Sequence, residues 1–247
     1  MLRLFKVTQT MRICEEKHMQ NVGEVRRRIS INGNTFREYV NGAQGTVYDG
    51  ALNVIILNAA KISRSYYAGS YNAGKPTRPT CWSADTSAPA PEVRQEDRQA
   101  YRCMDCPQNI RGSGSGMSRA CRFAQRLAVA IENDFTKVYQ LQLPATSLFG
   151  KAREGKMPMQ AYAQYLSSHS TPALSVITEC VFDRESVVPK LFFKAVRPLE
   201  EKEVGLAASL AESQEAKEAI TMSISTPPRG SIFAEVDGFV YSPVNAN

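Results

Sequence analysis

The chain of 247 residues is 43% hydrophobic and 22% charged, which supplies a sizeable core and excludes wholesale disorder. No stretch approaches the ~18 uninterrupted apolar residues of a membrane helix, and six cysteines are too few for a disulfide-built scaffold. Thirty basic against twenty-four acidic residues leave a formal charge of +6, while the two histidines, His18 and His169, exclude a histidine-rich metal centre.

Residues 1–6 carry no apolar signal region, so the reading is a cytoplasmic protein with no membrane partner. Residues 25–31 run into Asn32-Gly33-Asn34 and the β-prone residues 35–40, a hairpin signal because Asn and Gly tolerate positive φ. Asn41-Gly42 and Asp49-Gly50 predict two further turns, and residues 52–57 a buried strand. From residue 63 to about residue 117 the apolar periodicity gives way to Gly, Pro, Ser and Thr. A loop of that length inside a domain is functional, disordered or held by something other than a core. Regular structure resumes at residues 126–131 and 138–143, a hairpin around Glu132-Asn133-Asp134, although the first run equally fits the end of a helix beginning at Ser118. Residues 159–168 have helical spacing, 173–182 and 190–196 read as a further antiparallel pair, and the Ala- and Glu-rich stretch 200–221 as a helix. Beyond it the clearest signal is a strand at 231–236. The expectation is one α+β domain over residues 1–247, predominantly antiparallel sheet with a few helices and a cysteine-bearing insertion at about residues 61–126.

Within that insertion, Cys103-Met104-Asp105-Cys106 is a CxxC knuckle, with Cys121 fifteen residues beyond it and Cys81 twenty-two residues before it. Together they supply four thiolates, the ligand set of a closed tetrahedral structural zinc site. Binding would contribute on the order of 10 kcal/mol to ordering the loop. A CxxC also serves redox chemistry, though that motif opens a helix after a strand, and Pro107 argues against it here. Cysteines are also small buried hydrophobes, which suits the isolated Cys14 and Cys180.

Between residues 61 and 130 lie eleven basic residues and five acids, whereas the rest of the chain has nineteen of each. The whole excess therefore sits with four of the six cysteines, the footprint of a polyanion-binding face unless acids elsewhere compensate it. Lys61, Arg64, Tyr66, Tyr67 and Tyr71 interleave cations with rings, and Trp82 adjoins Cys81. Such a mixture suits unpaired nucleic acid, because rings stack on bases while cations track phosphates. The same rings equally fit packing of the insertion against the sheet. Arg111, Arg119, Arg122 and Arg126 surround the Gly-Ser loop at 112–116, where a helix capped by Ser118 would add backbone amides to an anion site. No P-loop ending, nucleophile elbow, HExxH or acidic cluster is present, so the chain reads as a non-enzyme, a nuclease built from scattered acids being the weaker alternative.

Cys81-Trp82-Ser83-Ala84-Asp85, Cys103-x-x-Cys106-Pro107-x-Asn109, Gly112-Ser113, Ala120-Cys121, Arg126-Leu127-Ala128-Val129 and Leu143-Pro144-Ala145-Thr146-Ser147-Leu148 occur in that order. This set resembles a group of tailed-phage proteins and is similar to the single-stranded DNA-binding RNA polymerase cofactors (Drc) of N4-like podoviruses. The resemblance covers about residues 52–199, and Arg119 stands where the group more often has lysine. It implies a sequence-tolerant binder of single-stranded DNA in the host cytoplasm, with a phage RNA polymerase or replication machinery as partner. The expectation is thus non-catalytic single-stranded DNA binding by a zinc-ordered, basic, tyrosine-bearing face, as a monomer or a homo-oligomer. The alternative is a protein-binding adaptor whose acidic 200–218 helix recruits a polymerase.

Overall fold

The computed structural model describes residues 27–69, 78–132, 134–222 and 224. Strands β1 (Arg27–Asn32), β2 (Thr35–Val40) and β3 (Ala43–Asp49) form an antiparallel meander. Its second turn, Asn41-Gly42, has φ of 52° and 85°, so both loop residues occupy the left-handed region that matches the twist of the flanking strands. Gly50 at φ 72° turns the chain into β4 (Ala51–Ala59). The hairpin expected around residues 132–134 joins β7 (Arg122–Ile131) to β8 (Asp134–Pro144). A second pair, β9 (Val176–Phe182) and β10 (Leu191–Pro198), adds antiparallel strands at the far edge.

The strand order is β10-β9-β4-β7-β8-β1-β2-β3, and only the β1–β8 pairing is parallel. The sheet curls: Phe36 of β2 and Phe182 of β9 stand five places apart in that order, yet their ring centroids are 4.6 Å apart. The central strands are apolar on both faces. Leu52, Val54 and Ile56 of β4 and Leu127, Val129 and Ile131 of β7 enter the concave core. That core is closed by α1 (Ala145–Leu148) and α2 (Met159–Ser168), which add Leu148, Met159, Tyr162 and Leu166. Ile55, Leu57, Ala128 and Ala130 face the other way, under α3 (Glu201–Glu212) and α4 (Gln214–Ile220). Each large side chain withdrawn from water in these layers stabilises the fold by about 1.5–3 kcal/mol.

The α+β class and the mostly antiparallel sheet agree with the sequence reading, and three details differ. Residues 200–221 form two helices, because Ser213 ends α3 and its Oγ accepts from the Ala216 amide, capping α4. Ser118 starts no helix; its Oγ instead donates to the Ser115 carbonyl at 2.7 Å, and β7 begins at Arg122. Residues 43–49, between two expected turns, form a strand of their own. The strand expected at 231–236 lies outside the described residues, as do Cys14, His18, Tyr71 and Lys75.

The insertion leaves the sheet at the end of β4 and returns at the start of β7, its antiparallel neighbour. Where β4 stops, β5 (Ser63–Tyr66) takes over the pairing along β7, from Ser63↔Ala124 to Ser65↔Arg122. β6 (Cys81–Ser83) then pairs with β5, tying the insertion to the sheet by backbone hydrogen bonds. No helix among the described residues is long and apolar enough to cross a membrane.

Candidate nucleic-acid interface and cysteine cavity

Four of the cysteines meet in the lobe formed by the insertion. Cys81 lies on β6, Cys103 opens a single helical turn that Cys106 ends, and Cys121 stands one residue before β7. The backbone ties these points together. The Cys103 amide donates to the Ser87 carbonyl at 2.9 Å, the Cys121 amide to the Gln108 carbonyl at 2.8 Å, and the Asn109 amide to the Cys106 carbonyl at 2.9 Å. All four thiols are buried, at 8–9% exposure, and line one small cavity of about 10 Å³ together with Arg64, Tyr66 and Trp82. They feel one another electrostatically. Burial pushes the Cys121 thiol up to about 12, Arg64 pulls it down, and the three other cysteines push it up again. The Cys81 thiol is raised by burial, lowered by a backbone hydrogen bond from Gln99, and raised further by Cys103 and Cys106. Among the described residues no three His, Cys, Asp or Glu side chains stand in a geometry that could hold a metal ion.

The expected nucleic-acid contacts divide into two groups. Arg64 and Arg126, expected at a nucleic-acid face, are instead interior, at 9% and 6% exposure, in the seam between β5 and β7. Arg64 packs its guanidinium 4.2 Å over the Phe123 ring and donates to the Cys103 carbonyl at 3.2 Å. Arg126 donates to Ser63 Oγ at 3.4 Å. Trp82, 6% exposed, is likewise a packing residue: with Cys81 and Val93 it forms a small satellite core that Tyr66, Met222 and Ile224 flank. Tyr67 is half-buried and has an interaction partner. Tyr66 and Tyr67 are therefore both partly covered by the lobe. Burial decided this, and burial is not written in local spacing.

Lys61, Arg78, Arg111, Arg119 and Arg122 are exposed. Arg78 lies over the Trp82 ring at 4.5 Å, and Arg119 lies 5.7 Å from Phe123, on whose ring Arg64 also packs. Arg122 also has an interaction partner, and further lobe cations are engaged locally: Arg94 pairs with Asp97 at 2.7 Å, Arg102 with Asp105 at 2.7 Å, and Arg98 donates to the carbonyls of Val93 and Pro91. In the Gly-Ser loop the Gly112 and Gly114 amides both donate to the Ser118 carbonyl, and the Ser113 amide to the Ile110 carbonyl. Gly114 is required there, because a Cβ would fall 2.9 Å from the Arg119 backbone carbon.

The lobe also exposes apolar side chains that spacing alone did not single out. Tyr101 is 93% exposed, and Met104, Met117 and Ile110 are 78%, 75% and 64% exposed. A signal existed for Tyr101: an aromatic beside Arg102, just before the CxxC and in a stretch with no apolar period, has no core to enter. Comparisons with protein-family models, with curated proteins and with solved structures returned no match.

Proposed function

We propose that this chain is a non-catalytic single-stranded DNA-binding protein whose contact surface is the cysteine-bearing lobe. The observation that carries the reading is a tyrosine presented almost entirely to solvent on the segment that holds the whole positive excess of the sequence. An exposed ring costs nothing to desolvate from a core and stacks on any base, while Lys61, Arg78, Arg111, Arg119 and Arg122 can neutralise phosphates. The phage transcription or replication role follows from the sequence resemblance and depends on this binding.

Five cations set an upper bound on the salt response. At about 0.7 log units per phosphate contact, affinity for an oligothymidine falls by up to about 3.5 log units per tenfold rise in salt. Fluorescence anisotropy at two salt concentrations measures this, and binding that is absent or indifferent to salt overturns the proposal.

Met104, Ile110 and Met117 favour a second reading, in which the lobe docks a protein, since exposed apolar side chains in one segment suit a protein partner. The acidic helix of the adaptor version is largely committed elsewhere: α3 and α4 bury alanines on the sheet, and Glu203 and Glu215 pair with Arg197 and Arg27. A captured partner that free oligonucleotide fails to displace, from a chain without DNA affinity, selects this reading.

A further inference from the structure

Two buried side-chain polar atoms among the described residues have no hydrogen-bond partner, Arg64 Nε and Asn109 Oδ1, and both belong to the lobe. Such orphans mark a missing partner, whether a water or an ion. Arg64 is the more telling one. Its cation is buried, its guanidinium meets an aromatic ring and one carbonyl, and no ion pair among the described residues includes it. A buried charge left uncompensated is strongly unfavourable, and the groups that share its cavity include four sulfurs and no carboxylate.

The charge balance separates the three states open to those sulfurs. Four neutral thiols leave the guanidinium uncompensated, and two disulfides do the same. Four thiolates around one divalent zinc carry a net −2, and supply the missing anion. We propose that Cys81, Cys103, Cys106 and Cys121 hold one zinc ion, with Arg64 as the outer-sphere cation that offsets its thiolates. The cavity of about 10 Å³ is the size of a single small sphere, which suits one ion and excludes a larger cofactor. The sulfurs do not stand at coordinating positions in this structure, so loading draws them inward to the about 2.3 Å of a zinc–thiolate bond. Four protons leave as the thiolates form, and no oxidant is consumed. The inference goes beyond DNA binding and does not rest on it.

Elemental analysis of the full-length protein, purified without chelator, tests the site. The expected result is about one zinc per chain, lost in Cys106→Ser and kept in Cys180→Ala, whose thiol lies in the concave core. Chelator competition tests the outer sphere: Arg64→Met weakens zinc binding by about 10–100-fold, and Arg64→Lys restores most of it. A metal-free protein whose four thiols alkylate in the native state, or a mass spectrum showing two disulfides, overturns the metal site. Unchanged zinc affinity in Arg64→Met overturns the role of Arg64. The wild-type metal count needs no variant to fold, and it reads out independently of any DNA affinity.

Discussion

Tyr101 and Trp82 occupy the same lobe and call for opposite experiments. Tyr101 is 93% exposed, so Tyr101→Ala leaves the melting temperature unchanged and costs about 1–3 kcal/mol of oligothymidine affinity, read by anisotropy. Trp82 is 6% exposed within the satellite core, so Trp82→Ala destabilises the fold by about 3–5 kcal/mol, read by thermal or denaturant melting. Loss of affinity in the Trp82 variant but not in the Tyr101 variant would reverse this assignment. Local spacing singled out Trp82 and passed over Tyr101, because side-chain exposure is set by what packs on top. The same holds for the arginines: Arg64 and Arg119 both contact the Phe123 ring, yet one is interior and the other at the surface.

At the scale of elements, the convex face depends on small side chains. Ala128 and Ala130 of β7, Ala207 of α3 and Ala216 of α4 belong to one cluster between helices and sheet, all at 0% exposure, so there is no room there for larger side chains. Ala207→Leu overfills that cluster and costs about 1–3 kcal/mol of stability by urea titration; an unchanged midpoint would mean the helix pair is free to lift. The start of α3 carries a pH dependence. Arg197 donates to both Glu203 oxygens, at 2.7 and 2.9 Å, and together with the Glu200 amide it holds the Glu203 carboxyl well below its ordinary value of 4.5, at about 2. A carboxylate depressed in the folded state stabilises above the unfolded value and loses that contribution as pH falls through the folded one. Wild type therefore melts higher than Glu203→Gln near neutrality, and the gap closes between about pH 4.5 and about pH 2. A gap that stays constant across that window refutes the pairing.

For the whole molecule, the lobe and the sheet form separate apolar clusters joined through β5. The single tryptophan lies in the lobe, so its fluorescence reports the lobe while far-ultraviolet dichroism reports mainly the sheet. On the proposed zinc site, chelator lowers the urea midpoint seen by fluorescence and moves the dichroism midpoint less. Coincident shifts would show that lobe and sheet unfold as one unit. The lobe is held by backbone bonds such as Cys121 to Gln108, which link residues far from any apolar period, and this is why its path was illegible beforehand.

Sequence by itself determined the elements whose causes are local. Asn41-Gly42 makes its turn because those two residues accept positive φ, β4 is a strand where residues 52–57 form a short apolar run, and α2 follows its helical spacing to the residue. It also singled out the four cysteines that share one cavity. Tertiary structure alone decided the curl that brings Phe36 to Phe182, the burial of Arg64, Arg126 and Trp82, and the exposure of Tyr101. Turn and period are properties of a few consecutive residues, whereas burial depends on segments that meet only after the chain has closed on itself.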